Sequence, residues 1–143
     1  MAYPELRTSL EAFGRVGEDA VQYLAIAAGA VLGANLRYLV TLFAVERLGF
    51  SFPYGTLFVN VSGSLVAGLF LTLALERLAV PPLGRLFFAT GFLGAYTTFS
   101  AYTYETAALV REGAYVPALL YLVGSVVGGM VGVFAGIIVA ESL

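Results

Sequence analysis

One amide, one carboxylate and a set of hydroxyls stand inside otherwise apolar sequence, and their spacing is regular. Thr56, Asn60, Ser64, Gly68 and Thr72 fall every fourth residue, so a helix carrying them presents one polar ridge. Ser64 or Thr72 alone is accounted for by a hydroxyl that bonds its own backbone or a neighbouring helix. The Asn60 amide has donors and acceptors that its own helix cannot satisfy together, so it is expected to face a partner or a pore. Glu105 is the one acid well inside a long apolar stretch, and an unpaired carboxylate there costs several kcal/mol, which makes it a functional candidate. Thr98, Tyr102 and Glu105 share a face at i, i+4 and i+7; Tyr102 either serves the carboxylate or ends an aromatic surface.

The third feature is the stretch Gly91 to Ser100, GFLGAYTTFS. Apolar sequence runs into it from Leu83 and leaves through Val110, yet its centre holds Gly91, Gly94, Thr97, Thr98 and Ser100. In hydrocarbon a broken backbone leaves N–H and C=O groups unpaired at several kcal/mol each, so a break survives only inside protein or against water and ions. The break therefore marks a site.

The elements that position these residues follow from composition. The chain has 143 residues, of which 60% are hydrophobic and 11% charged, against ~25% charged in a typical soluble domain. An all-α membrane protein is expected, with four spans at about 21–44, 55–75, 83–110 and 114–140, the third of them broken. Residues 1–20 are expected to form a polar tail ahead of a four-helix membrane domain, 21–143. The tail lacks the apolar core of a cleavable signal peptide. Leu6, Leu10, Phe13 and Val16 recur at helical spacing, which leaves either a surface helix or disorder.

There is no histidine and no cysteine, which excludes haem, zinc or iron–sulfur centres held in the usual way, thiol redox chemistry and disulfides. Any bound metal is hard and oxygen-ligated. The seven basic residues, all arginine, are scattered, and nothing recommends nucleic acid as a partner or a polybasic lipid-binding patch.

The first span carries Gly29 and Gly33 as a GxxxG, followed by Asn35 and Arg37; Arg37 either snorkels to the interface or meets a buried structural partner. In the last span Gly124, Gly128, Gly132 and Gly136 make a smooth ridge for helix packing. Tyr121, Ser125 and Gly129 lie one step round; their two hydroxyls either continue a polar path or pair helices.

Taken together, Gly33-Ala-Asn-Leu-Arg37-Tyr38, Gly55-Thr-Leu-Phe-Val-Asn60-Val-Ser-Gly63 and Gly91-Phe-Leu-Gly-Ala-Tyr-Thr-Thr-Phe-Ser100 resemble the Fluc (CrcB) family of fluoride channels, from about Ala27 to Gly136. The resemblance implies a four-span chain in the inner membrane, paired as an antiparallel, dual-topology homodimer with two fluoride pathways and a structural sodium ion between the subunits. It implies that the Gly94 and Thr97 carbonyls of both subunits hold the sodium. Asn60 would meet fluoride, Phe99 would present its ring edge, and Tyr121 and Ser125 would continue the path, with Thr56 and Ser64 as further donors. Thr98, Ser100, Arg37 and Glu105 fall at matching polar positions. Two departures stand out: Tyr102 replaces a phenylalanine, and Gly129 replaces a hydroxyl residue.

The physics agrees with the resemblance. Fluoride is small and strongly hydrated, so stripping its water requires close neutral donors and the positive edge of a ring, whereas a full positive charge would hold it too long for conduction. Arg7, Arg15, Arg77 and Arg85 on one side nearly balance Arg47, Arg111 and Arg37 on the other, too evenly to fix one orientation. Not an enzyme, the chain has no nucleotide-binding motif and no second domain to couple energy. A small proton-coupled multidrug antiporter is the competing class, but the first span has no acid between Val21 and Val45 and the chain has no Trp. A haem-anchor subunit is disfavoured by the absent histidine.

Overall fold

The computed structural model describes residues 4–74 and 80–143, with side chains from Asp19 onward. The expected end of the second span at 75, Arg77, and the side chains of Leu6, Arg7, Leu10, Phe13, Arg15 and Val16 lie outside the described parts. The described backbone is helical, without a strand. Helix α1 (Pro4–Leu48) is continuous through residue 20. Helix α2 (Tyr54–Thr72) follows after a short turn. Helix α3 (Pro82–Arg85) begins on its two prolines and runs into a π-helical segment, Leu86–Leu93, and then α4 (Gly94–Tyr96). Helix α5 (Phe99–Arg111) and α6 (Tyr115–Ser142) complete the chain.

Two turns depend on glycine. Gly49 (φ +81°) ends α1 with its N–H on the Val45 carbonyl at 2.9 Å, and Gly113 (φ +77°) ends α5 with its N–H on Val110 at 3.0 Å. Both positions lie in the left-handed region that a Cβ disfavours, and both stop a helix by supplying a donor to its last carbonyls.

Asp19–Leu48, Tyr54–Thr72 and Tyr115–Ser142 are each long and apolar enough to cross a membrane. Residues 82–111 do not add a fourth continuous helix because Thr97 and Thr98 are extended (φ/ψ −85°/158° and −151°/123°) and divide the stretch. Large apolar side chains such as Leu32, Phe43, Val126 and Ile138 face outward. Such a surface is at home in lipid rather than water, and the chain is a multi-pass membrane protein.

Small residues let the helices touch backbone to backbone. Gly29 and Gly33 of α1 lie against the Phe87 and Phe92 carbonyls of the π-helical segment, and Gly91 lies against Ile26. A Cβ at any of the three would overlap main chain. Across the bundle, α2 packs along α6, with Gly68 on the Val133 backbone, Gly132 on the Val61 carbonyl and Gly136 on Leu65. Gly128 continues the ridge against the Val61 side chain, and the ridge ends there, since Gly124 has nothing within 4 Å of where its Cβ would stand.

This difference predicts opposite outcomes for two leucines. Gly136→Leu forces α2 and α6 apart, and overpacking of this kind costs about 1–3 kcal/mol or more. A clear drop in thermal stability is expected when heated protein is run on size exclusion, while Gly124→Leu leaves the melting profile unchanged. Equal stability of the two variants would refute the packing assignment.

Candidate ion site at the helix break

The first half of the divided helix closes on the Leu93 carbonyl, which accepts from the Thr97 N–H at 3.0 Å and from Thr97 Oγ1 at 3.0 Å. The second half starts on Thr98, whose Oγ1 accepts from the Ala101 N–H at 3.2 Å, a side-chain cap of the kind threonine supplies. Ser100 Oγ lies 3.3 Å from the same oxygen. Thr98 itself is stranded between the two halves, and Asn60 of α2 satisfies it: Asn60 Nδ2 donates to the Thr98 carbonyl at 2.9 Å, and the Thr98 N–H donates to Asn60 Oδ1 at 2.8 Å. An amide side chain offers a neutral donor and acceptor side by side. The clamp removes two unpaired backbone groups that would each cost several kcal/mol at membrane depth.

The clamp also redirects N–H groups. In an unbroken helix the Gly94 carbonyl would take the Thr98 N–H, and the Thr97 carbonyl would take the Ala101 N–H. Those donors go instead to Asn60 Oδ1 and to Thr98 Oγ1. Gly94 is exposed and has open space around it, its Cβ position being 3.8 Å from the nearest atom, the Ala89 carbonyl. The Gly94 and Thr97 carbonyls therefore lose their helical donors, Gly94 at an exposed point and Thr97 half-buried. Among the described residues no group of three or more acids, histidines or cysteines is placed to hold a metal.

Asn60, Ser64, Gly94, Thr97, Thr98 and Phe99 line one open groove of about 440 Å3. Asn60 keeps a second Nδ2 hydrogen beyond its bond to Thr98. Ser64 donates to the Asn60 carbonyl at 2.7 Å, so in the groove it offers its oxygen rather than its proton. The Phe99 ring is 76% exposed.

From Phe99 a row of rings leads toward the α1–α2 turn. Phe99 and Tyr102 are 5.7 Å apart, Tyr102 and Tyr121 5.3 Å, and Tyr121 and Phe52 5.4 Å, the last two pairs edge to face. Tyr102 does not serve Glu105; its hydroxyl donates to the Leu122 carbonyl at 2.9 Å. Glu105 is held by two other hydroxyls: Thr56 Oγ1 donates to Oε1 at 2.8 Å and Tyr121 donates to Oε2 at 2.6 Å. Thr56 and Glu105 line a cavity of about 230 Å3 beside that turn. Ser125, one turn along α6 from Tyr121, is buried with its hydroxyl unpartnered among the described residues. Arg37 is half-buried and, among the described residues, makes no ion pair; Asn35 beside it donates to the Val31 carbonyl at 2.7 Å.

Sequence reasoning did not find that Asn60 pairs with Thr98, or that Thr56 and Tyr121 share Glu105. A signal existed. Thr56 and Asn60 are one turn apart on α2, Thr98 and Glu105 two turns apart on the face of the divided helix, and the structure matches the pairs in antiparallel order. Ser62 and Tyr96 add a further link at 3.0 Å that was not anticipated.

A multi-pass helical membrane protein whose divided helix is clamped open beside neutral donors falls in the class of ion-conducting or ion-binding membrane proteins. Comparison with known proteins narrows the class. Residues 24–137 match the family described as "CrcB-like protein, Camphor Resistance (CrcB)". The chain is 49% identical over 114 residues to the "Fluoride-specific ion channel FluC" of Chloroflexus aurantiacus, covering 80% of this chain and 90% of that protein. It is 49% identical over 120 residues to the protein of the same name from Roseiflexus sp. (strain RS-1), covering 84% and 97%. The Aquifex aeolicus protein of that name is 44% identical over 119 residues, covering 83% and 96%. The chain belongs to the CrcB-like family.

Proposed function

We propose that the protein is a fluoride-selective channel of the inner membrane that lets toxic cytoplasmic fluoride leave by passive electrodiffusion. The observation that carries this reading is the Asn60–Thr98 clamp, which holds a helix open at a groove bearing an amide N–H and an exposed ring edge but no cationic side chain. Neutral donors bind a dehydrated anion weakly enough to release it. In this reading Asn60 and Phe99 receive the ion, and the ring edges of Tyr102 and Tyr121 and the unpartnered Ser125 hydroxyl continue its route along the aromatic row, beside Thr56; the Thr56 and Tyr121 protons are held by Glu105 rather than offered to the ion. Ser64 helps shape the groove. Thr98 and Ser100 hold the start of α5, and Glu105 orients Thr56 and Tyr121. The hydroxyl by which Tyr102 differs from phenylalanine is engaged by Leu122 rather than offered to the ion. Gly129, near Ser64 at the middle of α6, leaves that end of the path without a donor.

In the same proposal residues 21–143 form the channel domain, residues 1–20 a tail ahead of it, and residues 82–111 the third of four crossings, made in two halves. Two copies pair antiparallel across the break. The Gly94 and Thr97 carbonyls of both would then hold a sodium ion, which supplies positive charge that locks the crossing.

Purified protein in liposomes loaded with fluoride is the deciding experiment. Efflux is expected only when valinomycin carries a compensating current of potassium, and chloride should not replace fluoride. Electroneutral, proton-coupled efflux would replace the channel with the antiporter reading.

Phe99→Ile tests the ring. Isoleucine retains apolar bulk but has no positive edge, and edge-to-face contacts between rings, which set the scale, are worth about 0.5–1.5 kcal/mol. Fluoride flux is expected to fall roughly threefold to tenfold with the assembled protein unchanged in size. Unaltered flux would remove Phe99 from the route.

A further inference from the structure

An apolar groove of about 1040 Å3 runs between the second half of α1 and the middle of α6, over a face of α2 different from that of Asn60. Leu39, Phe43 and Phe58 line its depth, Gly124 leaves its floor open, and Arg47 and Tyr54 stand at one end. That end is the membrane surface, since α1 stops at Leu48 and α2 starts at Tyr54. From Arg47 to Leu39 the rise along α1 is about 12 Å, close to the ~15 Å of hydrocarbon in one leaflet. The Arg47 guanidinium lies 5.3 Å from the centre of the Phe43 ring and makes no ion pair among the described residues.

We propose that this groove is a phospholipid site, with one acyl chain lying against Leu39, Phe43 and Phe58 and the phosphate held by Arg47 beside the interfacial Tyr54. The polarity of the groove selects this occupant. All its charge is at the surface end and the remainder is hydrocarbon, which matches an amphiphile with one anionic head. The lining itself brings no carboxylate to Arg47, and a phosphate supplies the missing anion. Aromatic residues and arginine at the headgroup level are the ordinary means by which spans meet lipid. The site rests only on the membrane placement of the chain, so it stands or falls separately from fluoride conduction.

The test uses delipidated protein in detergent, mixed with dioleoylphosphatidylglycerol or with dioleoylglycerol, which has the same chains and no phosphate. Native mass spectrometry counts the lipid retained. Wild type is expected to retain the phosphatidylglycerol in preference. Arg47→Gln should lower that retention about fivefold, the effect of one basic residue at a lipid surface, and leave dioleoylglycerol unaffected. Gly124→Leu fills the floor of the groove with its own side chain and should lower retention of both lipids while fluoride flux and oligomeric mass stay the same. Equal retention by all three proteins would overturn the proposal. A change of oligomeric mass in Gly124→Leu would overturn it too, by assigning the groove to a second copy of the chain.

Discussion

Asn60→Asp is expected to cut fluoride flux by about a thousandfold. The substitution preserves an acceptor for the Thr98 N–H but turns the group that faces the Thr98 carbonyl from a donor into an anionic oxygen. It also fixes a negative charge beside the anion route. Two like charges about 4 Å apart repel by about 4 kcal/mol at an effective dielectric near 20, which corresponds to roughly three powers of ten. Asn60→Ala separates the two causes: it breaks the clamp without adding charge, so flux should be reduced less than in Asn60→Asp. The measurement is fluoride efflux from liposomes, with size exclusion to confirm assembly. Flux near the wild-type rate in well-assembled Asn60→Asp would remove Asn60 from the path.

Gly94→Val should abolish pairing of the subunits and, with it, conduction. Within one chain a side chain at Gly94 meets almost nothing, the closest atom to its Cβ position being 3.8 Å away. The subunit should therefore fold and keep its helix content. The branched side chain instead projects from the exposed point at which a second copy is proposed to cross. Overpacking costs about 1–3 kcal/mol per site, and a two-fold axis inserts the change twice. Dissociation on dilution is expected to rise by at least a hundredfold, read as monomer by cross-linking in membranes, and flux should fall in parallel. A dimeric, conducting Gly94→Val protein would refute the assembly built on this crossing.

Much of the architecture was legible because membrane helices announce themselves by length and by small residues. Gly29 and Gly33, and Gly132 and Gly136, could be named as packing ridges from their spacing. Their targets could not, since spacing describes one helix and says nothing of which neighbour lies opposite. The π-helical turn of Leu86–Leu93 left no mark in LFFATGFL, because a wider turn needs only a changed hydrogen-bond partner and no special residue. The polar residues divide in the same way. Asn60 stood out as an amide that its own helix cannot satisfy, yet its partner is the backbone of Thr98, and a backbone group has no signature in sequence. Glu105 was visible as an isolated acid. Tyr102, one turn away on the same face, was a natural candidate to serve it, but the α5–α6 packing turns that ring toward Leu122 and brings Tyr121 to the carboxylate instead.

The division of the helix at Thr97 and Thr98 has an electrostatic consequence of its own. Pro82 to Tyr96 ends in carbonyls, and Phe99–Arg111 begins with N–H groups, so two poles of opposite sign that an unbroken helix would keep at its far ends are brought together at the break. Each pole is worth about half an elementary charge. Within a few residues the chain thus offers attraction to a cation on one side of the break and to an anion on the other, and neither depends on an ionised side chain. A field made of peptide dipoles does not titrate. It acts with the same strength in acid, where hydrogen fluoride enters a cell, as at neutral pH, where the trapped anion has to leave.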